Sequence, residues 1–371
     1  MKKDWQMKKI GEVCEIVNGG TPKTGIAEYW DGPHQWITPA EMGKRSSPYI
    51  SKTERTITDE GLKNSSARLL QPHSVIMSSR APIGHLAINT EPMATNQGCK
   101  GMTPGKLLEC KYLYYYLAAS IDLLNDLGTG ATFKELSGSK LKEVTIPIPP
   151  LAEQQRIVAI LDEAFAGIAT AKANTEKNLQ NARAIFESHL NSIDAQRVPL
   201  GNLVDIKTGK LDANAAIEGG FYPFFTCSRE IYTINHYAFD CEAILLAGNN
   251  AVGDFNVKHY HGKFNAYQRT YVITVNEKNK ILYRFLYFQL LKSLAKFKSQ
   301  SVGTGTKFLK LGMIQNMEVS LPEIKEQKLI VEKIDAILEE TQRLESNYKQ
   351  KLAALDELKK SLLHRAFSGE L

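Results

Sequence analysis

The chain contains LAEQQRIVAILDEAF (Leu151–Phe165) and, 173 residues later, IKEQKLIVEKIDAIL (Ile324–Leu338). At this shift, six of the fourteen residues in Pro149–Asp162 are identical to their counterparts. Both stretches follow proline, which a helix tolerates in its first turn but not in its interior. The sequence therefore indicates that one helix entry occurs twice.

Three further pairs of segments indicate that the whole chain is a duplicated unit. Their shifts fall from 190 near the start to 173 at the helix entries, so the middle of the unit has diverged. The pairs are IGEVCEIVNGG (Ile10–Gly20) with LGNLVDIKTGK (Leu200–Lys210), the aromatic stretches YLYYYL (Tyr112–Leu117) with RFLYFQL (Arg284–Leu290), and GTGATFKEL (Gly128–Leu136) with GTGTKFLKL (Gly303–Leu311), the last at a shift of 175.

Each copy begins with a segment of mixed α and β character. Short β-type runs occur at SVIMSS (Ser74–Ser79), EAILLAG (Glu242–Gly248) and RTYVITV (Arg269–Val275). The two aromatic stretches are typical of helices. We therefore expect each copy to contain a globular domain of strands and helices.

Each globular segment is followed by a long helical segment with apolar residues at spacings of three and four. A seam with a period near 3.5 residues is typical of a coiled coil. The residues expected at the interface of the helix pair are Ile157, Leu161, Ile168, Leu179, Phe186, Ile330, Ile334, Ile337, Leu344, Leu355 and Leu362.

Chain geometry predicts that the two long helices are antiparallel. The link between the first helix and the second globular segment spans at most about 20 Å, whereas each helix is roughly 65 Å long. The second helix must therefore run back to bury its seam against the first. The predicted fold class is α+β, with two mixed α/β domains (1–148 and 195–321) held apart by two long antiparallel helices (149–194 and 322–371) in a pseudo-two-fold repeat.

The composition is that of an ordinary soluble protein. The 371 residues are 43% hydrophobic and carry a formal net charge of +6, which permits nucleic-acid binding without requiring it. We find no apolar run long enough to cross a membrane and no signal peptide. Five scattered cysteines fit reduced thiols, and we expect a cytoplasmic protein.

Motifs for catalysis are missing from the sequence. It has no phosphate-binding loop, no dinucleotide fingerprint and no amino-methyltransferase motif. His259 and His261 form an HxH pair without an evident third ligand, so we predict no metal site. The chain is expected to have no active site of its own.

Polar and basic residues in the loops of both globular segments suggest DNA binding. Lys and Arg neutralise phosphates, and Asn pairs with adenine, although a single loop cation can equally be a solvated surface residue. The candidate DNA-binding residues are Thr38, Lys44, Arg45, Ser78, Ser79, Arg80, Lys134, Asn249, Asn250, Lys258, His259, Lys263, Arg269 and Lys307.

The helix entries, the GTG loops and the C-terminal SLLHRAFSGEL (Ser361–Leu371) resemble a specificity subunit of type I restriction-modification systems. The resemblance covers the whole chain and implies that two target-recognition domains each read one half of a split, asymmetric DNA sequence. It also implies that the helices set the spacing, at about 6 Å per four added residues, and dock two modification subunits. Partner subunits would bind S-adenosylmethionine, ATP and Mg²⁺ and supply adenine methylation, translocation and cleavage, whereas this chain would bind no cofactor.

Two other functions remain open at the level of sequence. A coiled-coil scaffold without DNA binding would explain the helices but not the two divergent basic domains. A nuclease or methyltransferase acting alone would require motifs that the sequence lacks.

Overall fold

The structure is a computed structural model. It describes residues 5–45, 47–130, 134–193, 195–277 and 280–371. The chain forms two compact units, unit 1 (Met1–Asn174 with Lys351–Leu371) and unit 2 (Thr175–Gln350). Each long helix contributes residues to both units, so this division by packing differs from the predicted division by element type.

Unit 1 contains a five-stranded sheet, a three-stranded sheet and a two-stranded ribbon. Its strands are β1 (Gln6–Lys9), β2 (Cys14–Asn18), β3 (Trp30–Ile37), β4 (Tyr49–Ile50), β5 (Thr56–Ile57), β6 (Val75–Ser79), β7 (Ile83–Asn89), β8 (Met93–Thr95), β9 (Cys99–Pro104) and β10 (Thr145–Ile148). The strand orders are β2-β9-β6-β7-β4, β5-β3-β8 and β1-β10. Among the described strands of unit 1, parallel pairing occurs only in β4–β7 and β3–β8.

The helices that begin in unit 1 are mostly short. They are α1 (Ile10–Val13), α2 (Pro39–Met42), α3 (Asp59–Lys63), α4 (Cys110–Ala119), α5 (Ile121–Leu127), α6 (Gly138–Glu143) and the long α7 (Leu151–Asn191). The aromatic α4 lies on the five-stranded sheet, where Tyr112 and Leu113 are fully buried. The sheet and α4 together form the largest core of this unit.

Unit 2 is built around a six-stranded sheet of order β12-β18-β15-β17-β13-β14. Its strands are β11 (Arg197–Pro199), β12 (Val204–Thr208), β13 (Tyr222–Phe225), β14 (Tyr232–Ile234), β15 (Phe239–Ala247), β16 (Asn249–Asn250), β17 (Val257–Ala266), β18 (Thr270–Val275), β19 (Lys307–Phe308) and β20 (Glu318–Ser320). The helices are α8 (Tyr283–Gln300), α9 (Leu311–Gln315) and the long α10 (Ile324–Ser368).

The predicted fold class is confirmed, with mixed α and β structure in both units and two long helices. The three predicted β runs correspond to β6, β15 and β18, and the two aromatic stretches lie in α4 and α8. The long helices are slightly shorter than predicted, and Asp194, the predicted end of the first, lies outside the described residues. The predicted separation of the domains by the helix pair stays a prediction.

Within unit 1 the long helices are antiparallel. In unit 1, Arg156 of α7 donates a hydrogen bond to the carbonyl oxygen of Leu371 at 2.7 Å, and Lys172 forms an ion pair with Asp356. In unit 2, Arg183 of α7 bonds to Glu345 of α10 at 2.5 Å. In unit 1, advancing along α7 means moving back along α10.

The residues predicted at the helix-pair interface all lie away from full exposure. Ile157, Leu161, Ile168 and Ile334 are buried. The others are half-buried: Leu179, Phe186, Ile330, Ile337, Leu344, Leu355 and Leu362. The seam also serves the globular cores, because Ile157 and Leu161 join the core that contains α4.

A buried glutamine anchors the first turn of α7. Gln154 is 0% exposed, and its Oε1 accepts a hydrogen bond from the backbone N–H of Glu109 at 2.8 Å. Its Nε2 donates to the carbonyl oxygens of Leu107 at 2.9 Å and Pro149 at 2.8 Å. The side chain thus ties the helix entry to the residues that precede α4.

Gln327 makes the same three bonds in α10. It is 0% exposed, and its Oε1 accepts from the backbone N–H of Leu282 at 2.9 Å. Its Nε2 donates to the carbonyl oxygens of Lys280 at 2.9 Å and Pro322 at 2.8 Å. Every partner lies 173 residues after its counterpart, so the repeat includes each of these hydrogen bonds. We call this junction, formed by the first turn of the long helix and the backbone to which its glutamine bonds, the base of the unit.

The predicted shift of 175 for the GTG loops is wrong. Thr129 pairs with Glu135 in the first loop, and Val302 pairs with Phe308 in the second, which is a shift of 173. The reason is backbone conformation, since the positive φ angle falls on Gly130 (127°) and Gly303 (112°). Lys134 and Lys307 are therefore equivalent residues.

Candidate nucleic-acid interface

Three predicted DNA-binding residues of unit 1 lie around α2. The Thr38 hydroxyl accepts a hydrogen bond from the backbone N–H of Glu41 at 3.2 Å and so caps the helix. Lys44 and Arg45 are exposed, with Lys44 Nζ 3.6 Å from a carboxylate oxygen of Glu54. The two cations, rather than Thr38, are available to a ligand.

Ser78 and Ser79 are both 0% exposed at the end of β6. The Ser78 hydroxyl donates to the carbonyl oxygen of Pro82 at 2.7 Å and accepts from the backbone N–H of His85 at 2.8 Å. These bonds hold the turn between β6 and β7. Since burial prevents direct contact with a duplex, we remove both serines from the candidate interface.

Arg80 and Lys134 border the first GTG loop. Arg80 Nη1 is 3.6 Å from a carboxylate oxygen of Glu135. Lys134 is exposed, and its Nζ donates a long hydrogen bond of 3.4 Å to the carbonyl oxygen of Asn125. Both side chains keep donors free for a phosphate, because each interaction engages only part of a multi-donor cation.

The sequence reasoning missed Lys100, which lies in β9 and is only 6% exposed. It lines a polar cavity of about 650 Å³ together with Asn18, Thr129, Glu135 and Ser137. Desolvation by burial lowers the pKa of Lys100, and the nearby Glu135 partly opposes this effect. A lysine among the apolar residues of GCKGM was the available signal.

Asn249 and Asn250 form the short strand β16 in unit 2. They pair with Phe308 and Lys307, next to the second GTG loop. The Asn250 Oδ1 accepts from the backbone N–H of Val252 at 2.9 Å, so this side chain shapes the turn that follows. Asn249 and Lys307 are half-buried beside it.

Lys258 and His259 lie in β17 with partners of their own. Lys258 Nζ donates to the carbonyl oxygen of Ser228 and to Asn256 Oδ1, both at 2.6 Å, and desolvation by burial lowers its pKa. A hydrogen bond of 2.9 Å joins His259 Nε2 to Glu242. These bonds give Lys258 and His259 structural roles and argue against direct contact with DNA.

Lys263 in β17 and Arg269, just before β18, are two exposed cations of the same part of unit 2. Lys263 Nζ lies 4.7 Å from the ring centroid of Tyr237, and the Arg269 guanidinium lies 5.8 Å from that of Phe308. No carboxylate of the described residues forms an ion pair with either cation under a 4.0 Å limit. They are the strongest phosphate-binding candidates of unit 2.

Arg269 lines a second cavity, of about 700 Å³, with Thr208, Tyr271, Phe308 and Lys310. This cavity lies beside the second GTG loop as the Lys100 cavity lies beside the first. Strand register supports the equivalence, because Asn18 pairs with Lys100 as Thr208 pairs with Tyr271.

The described part of the chain shows neither a metal cluster nor a membrane span. No group of three or more His, Cys, Asp or Glu residues in it could hold a metal ion. No helix in it is both long and apolar enough to cross a bilayer.

Comparison with known proteins identifies the family. The model for the type I restriction modification DNA specificity domain matches twice, over residues 2–181 and 193–354. The MjaIX specificity subunit of Methanocaldococcus jannaschii is 28% identical over 417 aligned positions, covering 100% of this chain and 94% of that protein. The EcoDI specificity subunit of Escherichia coli is 42% identical over 179 positions, covering 48% of this chain and 39% of that protein.

Two solved structures share the fold. A chain from a study of assembly and conformational transition in a type I R-M system matches with a TM-score of 0.81 at 17% identity, covering 100% of this chain and 99% of that one. The HsdS subunit from Thermoanaerobacter tengcongensis matches with a TM-score of 0.61 at 17% identity, covering 100% and 98%. The two matches of the family model settle the membership: the chain belongs to the type I restriction modification DNA specificity family.

Proposed function

We propose that this chain reads an asymmetric DNA target in two parts, one per unit, and docks two modification subunits. Members of the family recognise the DNA target and are non-catalytic components of type I restriction-modification complexes. One observation carries the proposal of two unlike half-sites. The hydrogen bonds of Gln154 and Gln327 at the bases of the two units are the same, but the sheets of the two units differ in strand number and order.

The exposed and half-buried cations beside the sheets are the proposed DNA contacts. They are Lys44, Arg45, Arg80 and Lys134 in unit 1, and Lys263, Arg269 and Lys307 in unit 2. Phosphate contacts of this kind supply much of the affinity and make binding weaken as salt rises. The half-site sequences differ because different loops surround these cations.

Loss of a split methylation mark tests this function. Methylome sequencing of the host with and without the gene is expected to show an adenine-methylated bipartite motif that disappears on deletion. Lengthening α7 and α10 by four residues each is expected to lengthen the spacer and leave both half-sites unchanged. A scaffold without DNA binding predicts no sequence-dependent mark, and an uninterrupted motif would contradict the two-part reading.

Two grooves at equivalent places support the docking of two copies of one partner. The groove of unit 1 lies between α4–α5 and the C-terminal part of α10, and includes Ala119 and Phe367. The groove of unit 2 lies between α8 and the long helices, and includes Leu291 and Ala295. Their volumes are similar, about 520 and 530 Å³.

Blocking one groove at a time tests the docking. Ala119→Trp and Ala295→Trp place a large side chain on an exposed groove position, and each is expected to reduce the bound modification subunits from two to one. Native mass spectrometry of the co-purified complex gives the count. The control is Ala213→Trp, an exposed position outside both grooves, and two subunits bound to all three variants would contradict this docking mode.

The cofactors are proposed to reside on the partners. S-adenosylmethionine would bind the modification subunits, and ATP and Mg²⁺ the restriction subunits, which complete the proposed set of partners together with double-stranded DNA. The cytoplasm, where such DNA is found, is the proposed location.

A further inference from the structure

Lys100 is a nearly buried cation without an acceptor. It is 6% exposed, and no side chain or carbonyl of the described residues accepts a hydrogen bond from its ammonium. Glu135 lies near enough for electrostatic attraction but forms no ion pair with it. Its Nζ is not enclosed, because the enclosed polar side-chain atoms without a partner among the described residues are Ser79 Oγ and Gln289 Nε2. The ammonium therefore reaches the cavity that Lys100 lines and can bind an anionic partner there.

The cavity that Lys100 lines has the composition of an anion site. Besides Lys100, a second cation, Lys142, and three hydroxyl residues, Thr129, Ser137 and Ser139, line it. Ser137 accepts a hydrogen bond from the backbone N–H of Lys140 at 3.2 Å, which leaves its hydroxyl proton for another acceptor.

Glu135 is the only acidic residue that lines this cavity among the described residues. Its carboxylate lies 3.6 Å from Arg80 Nη1, so part of its charge is neutralised by a third cation. The surroundings of Lys100 are therefore net positive, and they favour an anionic oxygen over a neutral base edge.

The cavity of unit 2 gives independent support. It lies at the repeat-equivalent place and offers two cations, Arg269 and Lys310. The side chains differ, since Tyr271 takes the place of Lys100 and Lys310 that of Ser137. A net positive cavity beside the loop is thus retained although the residues that create it have changed.

We propose that the cavity around Lys100 holds one backbone phosphate of the DNA half-site read by unit 1. Lys100 and Lys142 contact the phosphate oxygens, and the hydroxyl groups of Ser137 and Ser139 donate to them. A phosphate fits better than a base because a lysine ammonium is a point charge without the planar fork that reads base edges. The inference rests on the proposed function and deepens it.

Lys100→Met in the full-length chain, within its modification complex, tests the inference. We expect affinity for the target duplex to fall roughly tenfold or more, and the slope of log K against log salt to decrease in magnitude by about one. The matched control is Lys106→Met, which removes the same charge at an exposed position outside the cavity.

Thermal unfolding separates a binding role from a structural one. The Lys100 ammonium makes no hydrogen bond or ion pair to the described residues, and methionine keeps an apolar stem of similar length, so the variant is expected to melt no lower than the wild type. A lysine retained for folding would give the opposite result, with a lower melting temperature and DNA affinity reduced only in proportion to the unfolded fraction.

Target duplexes with one neutral phosphate analogue identify the phosphate that Lys100 contacts. Replacing phosphates of the target one at a time by methylphosphonate is expected to reveal one position that weakens the wild type but not Lys100→Met, as a double-mutant cycle requires. Equal affinity of the Lys100 and Lys106 variants, or no coupled position, would overturn the inference while leaving the proposed function intact. Failure of the wild type to prefer its target would overturn both.

Discussion

The base and the sheets of the two units have diverged to very different degrees. At the base, Gln154 and Gln327 make the same three hydrogen bonds to partners 173 residues apart. Above it, unit 1 has separate sheets of five and three strands, whereas unit 2 has one main sheet of six.

A second pair of contacts at the base repeats in type but not in detail. Lys111 of α4 bonds to Asp162 of α7 at 2.7 Å, and Arg284 of α8 bonds to Asp335 of α10 through Nε at 2.9 Å. In unit 1 the Tyr115 hydroxyl also donates to Asp162, whereas Phe288 at the equivalent place has no hydroxyl. Both units thus keep a cation–aspartate contact between the domain helix and the long helix, although the residues differ. The side chains around the sheets show no such repeat.

The largest expected effect is at the glutamines. Gln154→Leu removes three hydrogen bonds and leaves their backbone partners unsatisfied, so we expect the free energy of unfolding to fall by about 3–5 kcal/mol. Gln327→Leu should have an effect of the same size if the bases are equivalent. Calorimetry of the full chain measures both.

Exposed neighbours control for the change of residue type. Gln155→Leu and Lys328→Leu alter solvent-facing positions of the same helix turns, and each is expected to change stability by about 0.5 kcal/mol or less. A loss of stability in Gln154→Leu without a comparable loss in Gln327→Leu would contradict the equivalence of the bases of the two units.

A smaller loss of stability is expected when the Tyr115 hydroxyl of unit 1 is removed, as it is naturally absent at Phe288 of unit 2. Tyr115→Phe deletes the hydroxyl that donates to Asp162 and reproduces the situation at Phe288, at a cost of about 1 kcal/mol. Urea unfolding of the full chain gives the value. Tyr114→Phe is the control, since its hydroxyl makes no hydrogen bond to the described residues, and an equal loss in both variants would contradict the role given to Tyr115.

The smallest expected effect needs no mutation and compares the buried thiols of unit 1 with Cys227 of unit 2. Burial raises the pKa of Cys14, Cys99 and Cys110, all in unit 1, to about 12. These thiols are protonated at pH 8, and since the thiolate is the nucleophile, iodoacetamide should label them only after unfolding. Mass spectrometry of the native chain is expected to find label on Cys227 of unit 2, which is half-exposed, and rapid native labelling of Cys99 would contradict the difference.

Much of the site depended on contacts that no local pattern reveals. Lys134 and Lys307 were found from the sequence because both follow a glycine loop. Ser78 looked like a loop hydroxyl and is the buried support of a turn, while Lys258 looked like a free cation and is held by Ser228 and Asn256. Ser78 bonds within its own turn but is buried because β6 lies between β7 and β9. Lys258 is held in part by Ser228, which is distant in sequence, so residue type alone cannot report either outcome.

By itself the sequence determined the duplication, the helix entries, the mixed α and β character of both copies and the antiparallel helices. These follow from identities at a constant shift, from apolar periodicity and from limits on chain reach, which are all properties of the chain. Only the tertiary structure decided the shift of the glycine loops, the burial of Lys100 and the difference between the sheets of two units whose helix-entry junctions match. Those features depend on which strands pair across long sequence separations, and pairing is set by packing rather than by local preference.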